Sequence, residues 1–233
     1  MMRTTRRERM RAATADEIKQ AARRQLIADG PAAISIRAVA REVGLTPAAL
    51  YRYFPSLEAL IERLCADTYD ELAEAIAAAR DAVPGDDPAG RLRAAAWAFR
   101  DWSVAHPREF TLVFGTPVPG QAEFDPESAV HESGLRFGGA FLEAFLALWH
   151  ARERGPREAN ADLDRRIAAA ACAPFDAGGD LAMPPEAYRL YLSGWIRLYG
   201  SVALEVFGHL RWAVSDVEPL FESELNDFLD ELA

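Results

Sequence analysis

The stretch from Ser35 to Phe54 constrains the fold of this chain more than any other part of the sequence. Its first apolar residues recur at the i, i+3, i+4, i+7 spacing of one helix face, and they are Ile36, Val39, Ala40 and Val43. Gly44 follows, and glycine reaches the left-handed conformation that ends a helix at little cost. Thr46 is then a good N-cap, with Pro47 at the first position of a second helix. We therefore predict two short helices joined by a tight turn, a helix-turn-helix motif.

The second helix of this motif presents small and polar side chains outward, a pattern that suits the major groove of DNA. Arginine can pair with guanine, methyl groups can touch thymine, and tyrosine hydroxyls can reach phosphates. The residues predicted for this interface are Thr46, Ala48, Ala49 and Tyr51 toward the bases, Pro47 beside them, and Ser35, Arg37, Arg52 and Tyr53 toward phosphates. The alternative is a helical hairpin inside an ordinary bundle.

Charge separates the start of the chain from the rest. Residues 1–57 carry eleven Lys and Arg against five acids, a net charge of +6. The whole chain is −10, so the remaining residues carry −16. A basic segment on an acidic body indicates a polyanionic partner for that segment, here double-stranded DNA.

The helices that flank the motif complete a DNA-binding head. A helix from about Thr14 to Asp29 is predicted, because Thr14 and Glu17 have the spacing of a capping box. Ser56 caps a long helix after the motif. We predict a flexible basic arm at 1–13, a three-helix head at 14–57, and a connecting helix at 58–82 that opens the second domain, 58–233. For the arm, the sequence leaves open a solvated tail or a segment that reaches phosphates or the minor groove.

The head resembles the tetracycline-repressor (TetR/AcrR) family of bacterial regulators over about residues 14–64. The segment Ile-Arg-Ala-Val-Ala-Arg-Glu-Val-Gly-Leu-Thr-Pro-Ala-Ala-Leu-Tyr-Arg-Tyr-Phe carries the likeness. In that family the pattern usually ends Tyr-x-His-Phe, and a lysine opens the next helix. Tyr53 replaces the histidine here, and Leu57 stands in the place of the lysine. Leucine cannot donate to a phosphate, so that contact must come from backbone N–H groups or be lost.

The second domain is predicted to be a helical bundle, because apolar residues recur at helical spacing throughout it and no strand alternation occurs. We therefore predict an all-α protein: a helix-turn-helix head, a long helix, and a C-terminal bundle for ligand binding and dimerisation. Its aromatic residues are numerous enough to line an apolar pocket for a small apolar or aromatic effector. The predicted pocket residues are Trp97, Phe110, Phe141, Phe145, Trp195 and Tyr199. Tyr199 is the expected polar group of the pocket, and the alternative is a packed core with no cavity.

The two C-terminal helices are predicted to form a homodimer. The last helix has one apolar stripe, and the helix before it is apolar nearly all round. The glycines Gly194, Gly200 and Gly208 would let another helix approach closely. The predicted interface residues are Gly200, Leu204, Phe207, Phe221, Leu225 and Phe228. The alternative is a monomer whose last helix folds onto its own core.

The segment from Leu192 to Gly200 resembles a C-terminal domain of one branch of the same family. That branch typically shows Trp…His-Gly, and Tyr199 stands here in place of the histidine. The family resemblance implies a ligand-responsive transcriptional regulator that binds a palindromic operator as a homodimer, most simply a repressor released by its effector. It implies a cytoplasmic location.

No constellation of residues favours catalysis. The four histidines are scattered, and there is no HExxH, no GxSxG and no phosphate-cradling glycine loop. We expect no enzymatic activity, no cofactor, no metal site and no membrane contact, and two buried free thiols at Cys65 and Cys172. The alternative is a helical small-molecule-binding protein or enzyme in which the helix-turn-helix is incidental, although such a protein has no need for a basic head on an acidic body.

Overall fold

The computed structural model describes residues 5–115, 127–152, 161–170 and 183–232. Throughout these ranges the regular structure is helical, without a strand, which confirms the all-α prediction. The helices are α1 (Arg6–Asp29), α2 (Ile36–Glu42), α3 (Pro47–Leu50), α4 (Leu57–Asp81), α5 (Pro88–Ala105), α6 (Pro107–Phe110), α7 (Ala129–Ala151), α8 (Ala161–Ala169), α9 (Pro185–Val206) and α10 (Glu218–Leu232). A 3₁₀ turn at Pro31–Ala33 precedes α2, and a π turn at Thr111–Gly115 follows α6.

The first helix begins earlier than predicted, at Arg6 instead of near Thr14. Thr5 is the N-cap: its hydroxyl accepts from the N–H of Glu8 at 3.3 Å, and its own N–H donates to the Glu8 carboxylate at 2.7 Å. This reciprocal pair is the capping box that we expected at Thr14 and Glu17, farther along the sequence. The Thr14 hydroxyl instead donates to the carbonyl of Met10 inside the helix. Residues 6–13 of the predicted arm are therefore helical.

The chain divides into two compact units. The first contains Met1–Glu74 and Ala105–Gly138, and the second contains Ala75–Val104 and Gly139–Ala233. The first unit therefore holds the predicted head together with α6 and the start of α7, which lie far from it in the sequence. Helices α4 and α7 contribute residues to both units.

The head is built on one apolar core, as the helical spacing predicted. Ile18 and Leu26 of α1 pack with Val39 of α2, Leu50 of α3 and Leu60 of α4, and all are essentially inaccessible to solvent. Leu112, from the π turn, joins the same core. Burying each such side chain contributes about 1.5–3 kcal/mol. The core thus fixes α3 against α1 and α2.

Helix α10 packs on α9 within the second unit. Gly194 lies directly under the Phe228 ring, and a Cβ built at that glycine would be 2.4 Å from Phe228 Cζ. Beside them, the buried Arg100 guanidinium donates to both carboxylate oxygens of Glu205 at 2.8 and 2.7 Å, and to Glu218 at 3.3 Å. Because these acids lie on α9 and at the start of α10, one arginine of α5 joins three helices of the unit.

Helix α9 ends at Val206, before Gly208. Gly208 adopts φ +69°, and the N–H of His209 donates to the carbonyl of Leu204 at 2.8 Å. This bond closes the helix in the manner of a Schellman motif. The Pro- and Gly-rich stretch 117–126, whose composition favours a surface loop, and Cys172 lie outside the described residues. Helix α8 is a short helix within 154–184, a stretch that mixes charge with Gly and Pro. Over the part of the chain that the structure describes, no helix is both long and apolar enough to cross a bilayer.

Candidate nucleic-acid interface and aromatic clusters

The two helices of the motif are held at their ends as the sequence predicted. The Ser35 hydroxyl accepts from the N–H of Ala38, and the Thr46 hydroxyl accepts from the N–H of Ala49, both at 3.2 Å. Gly44 lies between the helices with φ +69°, and the N–H of Leu45 donates to the carbonyl of Ala40 at 2.8 Å. The caps and the glycine turn therefore set the angle at which α3 leaves α2.

Helix α3 is shorter than expected, since its regular part ends at Leu50. Tyr51, Arg52 and Tyr53 continue it as a tighter turn, in which the N–H of Tyr53 donates to the carbonyl of Leu50 at 2.8 Å. This turn leaves Tyr51 and Arg52 exposed, with Tyr51 at 49% exposure, while Tyr53 packs partly on the head core.

The remaining predicted DNA-contact residues are exposed or half-buried. Thr46, Pro47, Ala48 and Arg37 are exposed, and Ser35 and Ala49 are half-buried. Since the hydroxyls of Ser35 and Thr46 already accept capping bonds, they keep an O–H donor for a phosphate or a base edge.

Ion pairs separate the cations of the head into two groups. Lys19 pairs with Asp16 and Asp67, Arg23 with Glu71 and Glu109, and Arg24 with Glu42. Within the described part of the chain, seven exposed arginines of the head have no carboxylate within 4.0 Å; they are Arg6, Arg7, Arg9, Arg11, Arg37, Arg41 and Arg52. The net charge of +6 follows from the sequence, but which cations form ion pairs required the structure.

An acidic residue, Glu58, lies at the start of α4, directly after Leu57, which stands in the place of the family's lysine. Ser56 caps the helix by accepting from the N–H of Ala59 at 3.1 Å. The pKa of the exposed Glu58 carboxyl is lowered, mainly by a hydrogen bond from its own backbone N–H and then by one from the Ser56 side chain. The Glu58 carboxylate therefore accepts a hydrogen bond from a backbone N–H group that could otherwise bind a phosphate.

Three of the predicted pocket residues lie in one series of aromatic rings in the second unit. Phe141 is 6.2 Å from Phe99, Phe99 is 5.8 Å from Trp195, and Trp195 stacks on Tyr199 at 5.7 Å, all measured between ring centroids. Phe145 pairs with Tyr191 at 5.2 Å. Burial raises the pKa of the Tyr191 phenol.

The other two predicted pocket residues lie elsewhere. Phe110 is fully buried in the first unit, 4.9 Å from Phe114. Trp97 packs against Phe221 at 5.0 Å and under the Arg100 guanidinium at 5.3 Å. Phe99 and Tyr191 were not among the predicted pocket residues. Phe99 shares a helix face with Ala95 and Ala96, which marked it as core, and Tyr191 carried no signal in the sequence that distinguished it.

The predicted dimer residues fall into two sets. Phe221, Leu225 and Phe228 are buried against their own protomer, so they pack the unit itself. Leu204 and Phe207 are 40% and 38% exposed, and Gly200 would accept a Cβ with nothing within 4 Å. Ile196, 69% exposed, precedes Gly200 by one helical turn and extends this surface.

The described residues were also expected to hold no metal site and a buried free thiol at Cys65. Within the described residues, no three His, Cys, Asp or Glu side chains are grouped so that they could hold a metal ion. Cys65 is a buried free thiol, as predicted, and burial raises its pKa to about 12.

A helix-turn-helix head with unneutralised arginines, followed by a separate helical unit, defines the class of helix-turn-helix transcriptional regulators. Comparison with protein families agrees with this class. Residues 18–64 match the model described as "Bacterial regulatory proteins, tetR family", and residues 92–228 match "Tetracyclin repressor-like, C-terminal domain". The chain belongs to the TetR family of DNA-binding transcriptional regulators. The assignment to the Trp-His-Gly branch stays a prediction.

Individual relatives support the same assignment. The chain is 31% identical over 198 residues to the HTH-type transcriptional regulator Rv1816 of Mycobacterium tuberculosis, which covers 82% of this chain and 80% of that protein. The crystal structure of SCO4313, named as a regulatory protein, has a TM-score of 0.74 at 30% identity and covers 97% of this chain and 100% of the other. A Rhodococcus sp. RHA1 protein of unknown function shares the fold at a TM-score of 0.70 and 20% identity, covering 94% of this chain and 95% of its own.

Proposed function

We propose that this protein is a repressor that binds a palindromic operator in the cytoplasm as a homodimer and is released by a small apolar or aromatic effector. The observation that carries the DNA-binding part is the group of exposed arginines without carboxylate partners, two of which, Arg37 and Arg52, flank the exposed residues of α3. Phosphate contacts from such side chains supply most of the sequence-independent affinity of a DNA-binding protein.

Sequence preference in this proposal comes from α3 and the turn after it. Thr46, Ala48 and Tyr51 are exposed on one short element, and Ala49 lies beside them half-buried. In a helix-turn-helix the N-terminal residues of the second helix meet base edges, while the first helix crosses the backbone. Arg37, close to the start of α2, is accordingly assigned to a phosphate together with Ser35, Arg52 and Tyr53.

A homodimer is proposed through the exposed stripe of α9. Ile196, Gly200, Leu204 and Phe207 recur every three or four residues and so share one face of that helix. Gly200 offers open space for a crossing helix. A self-complementary apolar patch of this kind is what a two-fold dimer needs. Phe228 supports the dimer indirectly, by packing α10 against Gly194 of α9.

The effector is proposed to bind among the rings of the second unit that include Phe141, Trp195 and Tyr199, with Phe145 next to them. Aromatic side chains with few polar groups are typical of small-molecule pockets. Tyr191, whose ring pairs with Phe145, places a phenol beside these rings. Trp97 and Phe110, which pack in other clusters, are the less favoured members of the predicted set.

The DNA-binding part is tested by measuring affinity for a mixed-sequence duplex by fluorescence anisotropy over a range of salt concentrations. Arg52→Ala should weaken binding to all sequences, and each lost phosphate contact should make the slope of log K against log salt less negative by about 0.9. Arg166→Ala, which removes an exposed arginine of α8 in the other unit, is the matched control and should leave the slope unchanged. Equal slopes for both variants and the wild type would exclude the assigned interface.

A further inference from the structure

The N-terminal end of α1 holds four arginines on a regular helix. The capping box between Thr5 and Glu8 starts the helix directly before Arg6. Arg6, Arg7, Arg9 and Arg11 are all exposed. Their single acidic neighbour, Glu8, turns back to the Thr5 N–H at 2.7 Å and makes no ion pair with them within the described residues. The positive charge at this end of the chain is therefore carried by a regular helix and is available to an anion.

Arg11 joins this end of α1 to the turn that follows α3. Its guanidinium donates to the backbone carbonyl of Arg52 at 3.1 Å and lies 5.9 Å from the centroid of the Tyr53 ring. Arg52 and Tyr53 are the two residues of that turn assigned to phosphates. An arginine has five N–H donors, so Arg11 keeps donors for an anion beside the same turn.

Arg7 extends this surface away from the motif. In an α-helix, residues four apart lie about 40° from each other around the axis and about 6 Å apart along it. Arg7 is therefore on the same face as Arg11, one turn farther from Arg52. Arg9, by the same geometry, lies about 160° around the helix from both.

We propose that Arg7 and Arg11 form a second, sequence-independent DNA contact, in which α1 binds backbone phosphates next to those bound by the turn at Arg52 and Tyr53. The inference rests on the proposed function, because it needs the helix-turn-helix to meet DNA. It assigns a ligand, the phosphate backbone of duplex DNA, to residues that the sequence alone left as either a solvated tail or a contacting arm.

The test compares Arg7→Gln with Arg9→Gln, two variants that lose the same charge from the same exposed helix. Binding of the full-length variants to a mixed-sequence duplex of about three helical turns is measured by anisotropy between about 50 and 200 mM salt. Arg7→Gln should make the slope of log K against log salt less negative by about 0.9, and the double variant with Arg11→Gln by about 1.8. Arg9→Gln should keep the wild-type slope. Arg7→Lys should have a slope close to that of the wild type, because lysine also binds phosphate.

The outcomes separate this contact from the proposed function. If the wild type binds the duplex and Arg7→Gln has the wild-type slope, the contact is excluded while the helix-turn-helix interface stands. If Arg7→Gln and Arg9→Gln lose slope equally, net charge explains the result and the assigned face is excluded. If the wild type itself does not bind, the proposed function fails and this contact fails with it. Circular dichroism on each variant confirms that α1 keeps its helix.

Discussion

The Phe228 ring of α10 lies directly over Gly194 of α9, so closely that a Cβ at position 194 would be 2.4 Å from Phe228 Cζ. Glycine costs a helix interior about 0.5–1 kcal/mol relative to alanine. That cost is offset here because the missing side chain lets a large aromatic ring reach the helix backbone. The two residues are therefore matched, and the docking of α10 depends on both.

Gly194→Ala should destabilise the protein in spite of the better helix propensity of alanine. Overpacking a core costs about 1–3 kcal/mol, which exceeds the propensity gain. We expect a net loss of about 1–2 kcal/mol in the free energy of unfolding, measured by urea denaturation at fixed protein concentration. Adding Phe228→Leu should recover part of the loss by making room for the new methyl group. A variant as stable as the wild type would contradict this packing.

The exposed stripe of α9 should govern self-association. Leu204→Glu places a charge on this apolar surface, and we expect sedimentation to change from a dimer to a 25.7 kDa species. Gly200→Ala is the milder probe: it has room within the protomer, so it should raise protomer stability by about 0.5–1 kcal/mol while weakening the dimer. A wild type that sediments as a monomer at micromolar concentration would end the dimer proposal.

Glu58 should oppose DNA binding from the start of α4. Glu58→Gln removes a negative charge from the start of α4 and with it the repulsion of a phosphate, so affinity for duplex DNA should rise a few-fold. Glu224→Gln makes the same change in charge on exposed α10 and should have little effect. The DNA affinities of the two variants are compared by anisotropy titration at equal salt concentration. Equal affinities would show that the start of α4 lies away from the DNA.

The aromatic series of the second unit should bind an aromatic dye. Trp195 is only half-buried, so Trp195→Ala should leave the protein folded while removing the ring between Phe99 and Tyr199. We expect the wild type to bind 1-anilinonaphthalene-8-sulfonate with a rise in fluorescence and in melting temperature, and the variant to lose both responses. If the variant unfolds and no apolar compound shifts the wild-type melting temperature, the rings form a packed core.

The head could be predicted in detail because its determinants are local. The caps at Ser35 and Thr46 and the turn at Gly44 depend on neighbouring residues, and the structure confirms all three. The start of α1 was predicted too late in the sequence, because Thr5 and Thr14 each precede a glutamate at capping-box spacing. Helix propensity alone does not distinguish these two candidate N-caps.

The second unit was harder to predict because its contacts are long-range. The stripe of α10 was correctly recognised as apolar, but sequence cannot say whether such a stripe covers its own protomer or a partner. The structure places Phe221 and Phe228 against their own chain. Likewise, an arginine at position 100 is buried only because Glu205 and Glu218, more than a hundred residues away, supply its partners.

The central claim is that a dimer of this protein reads a palindromic site with α3. The most direct measurement is repeated selection from a random duplex library with the purified protein, followed by sequencing of the enriched DNA. The account predicts an inverted repeat whose half-site centres lie about 10–10.5 base pairs, or a multiple of that, apart. Tyr51→Ala should select a motif altered at one position of each half-site. Failure to enrich any sequence, or enrichment of one unpaired half-site that Tyr51→Ala leaves unchanged, would contradict the account.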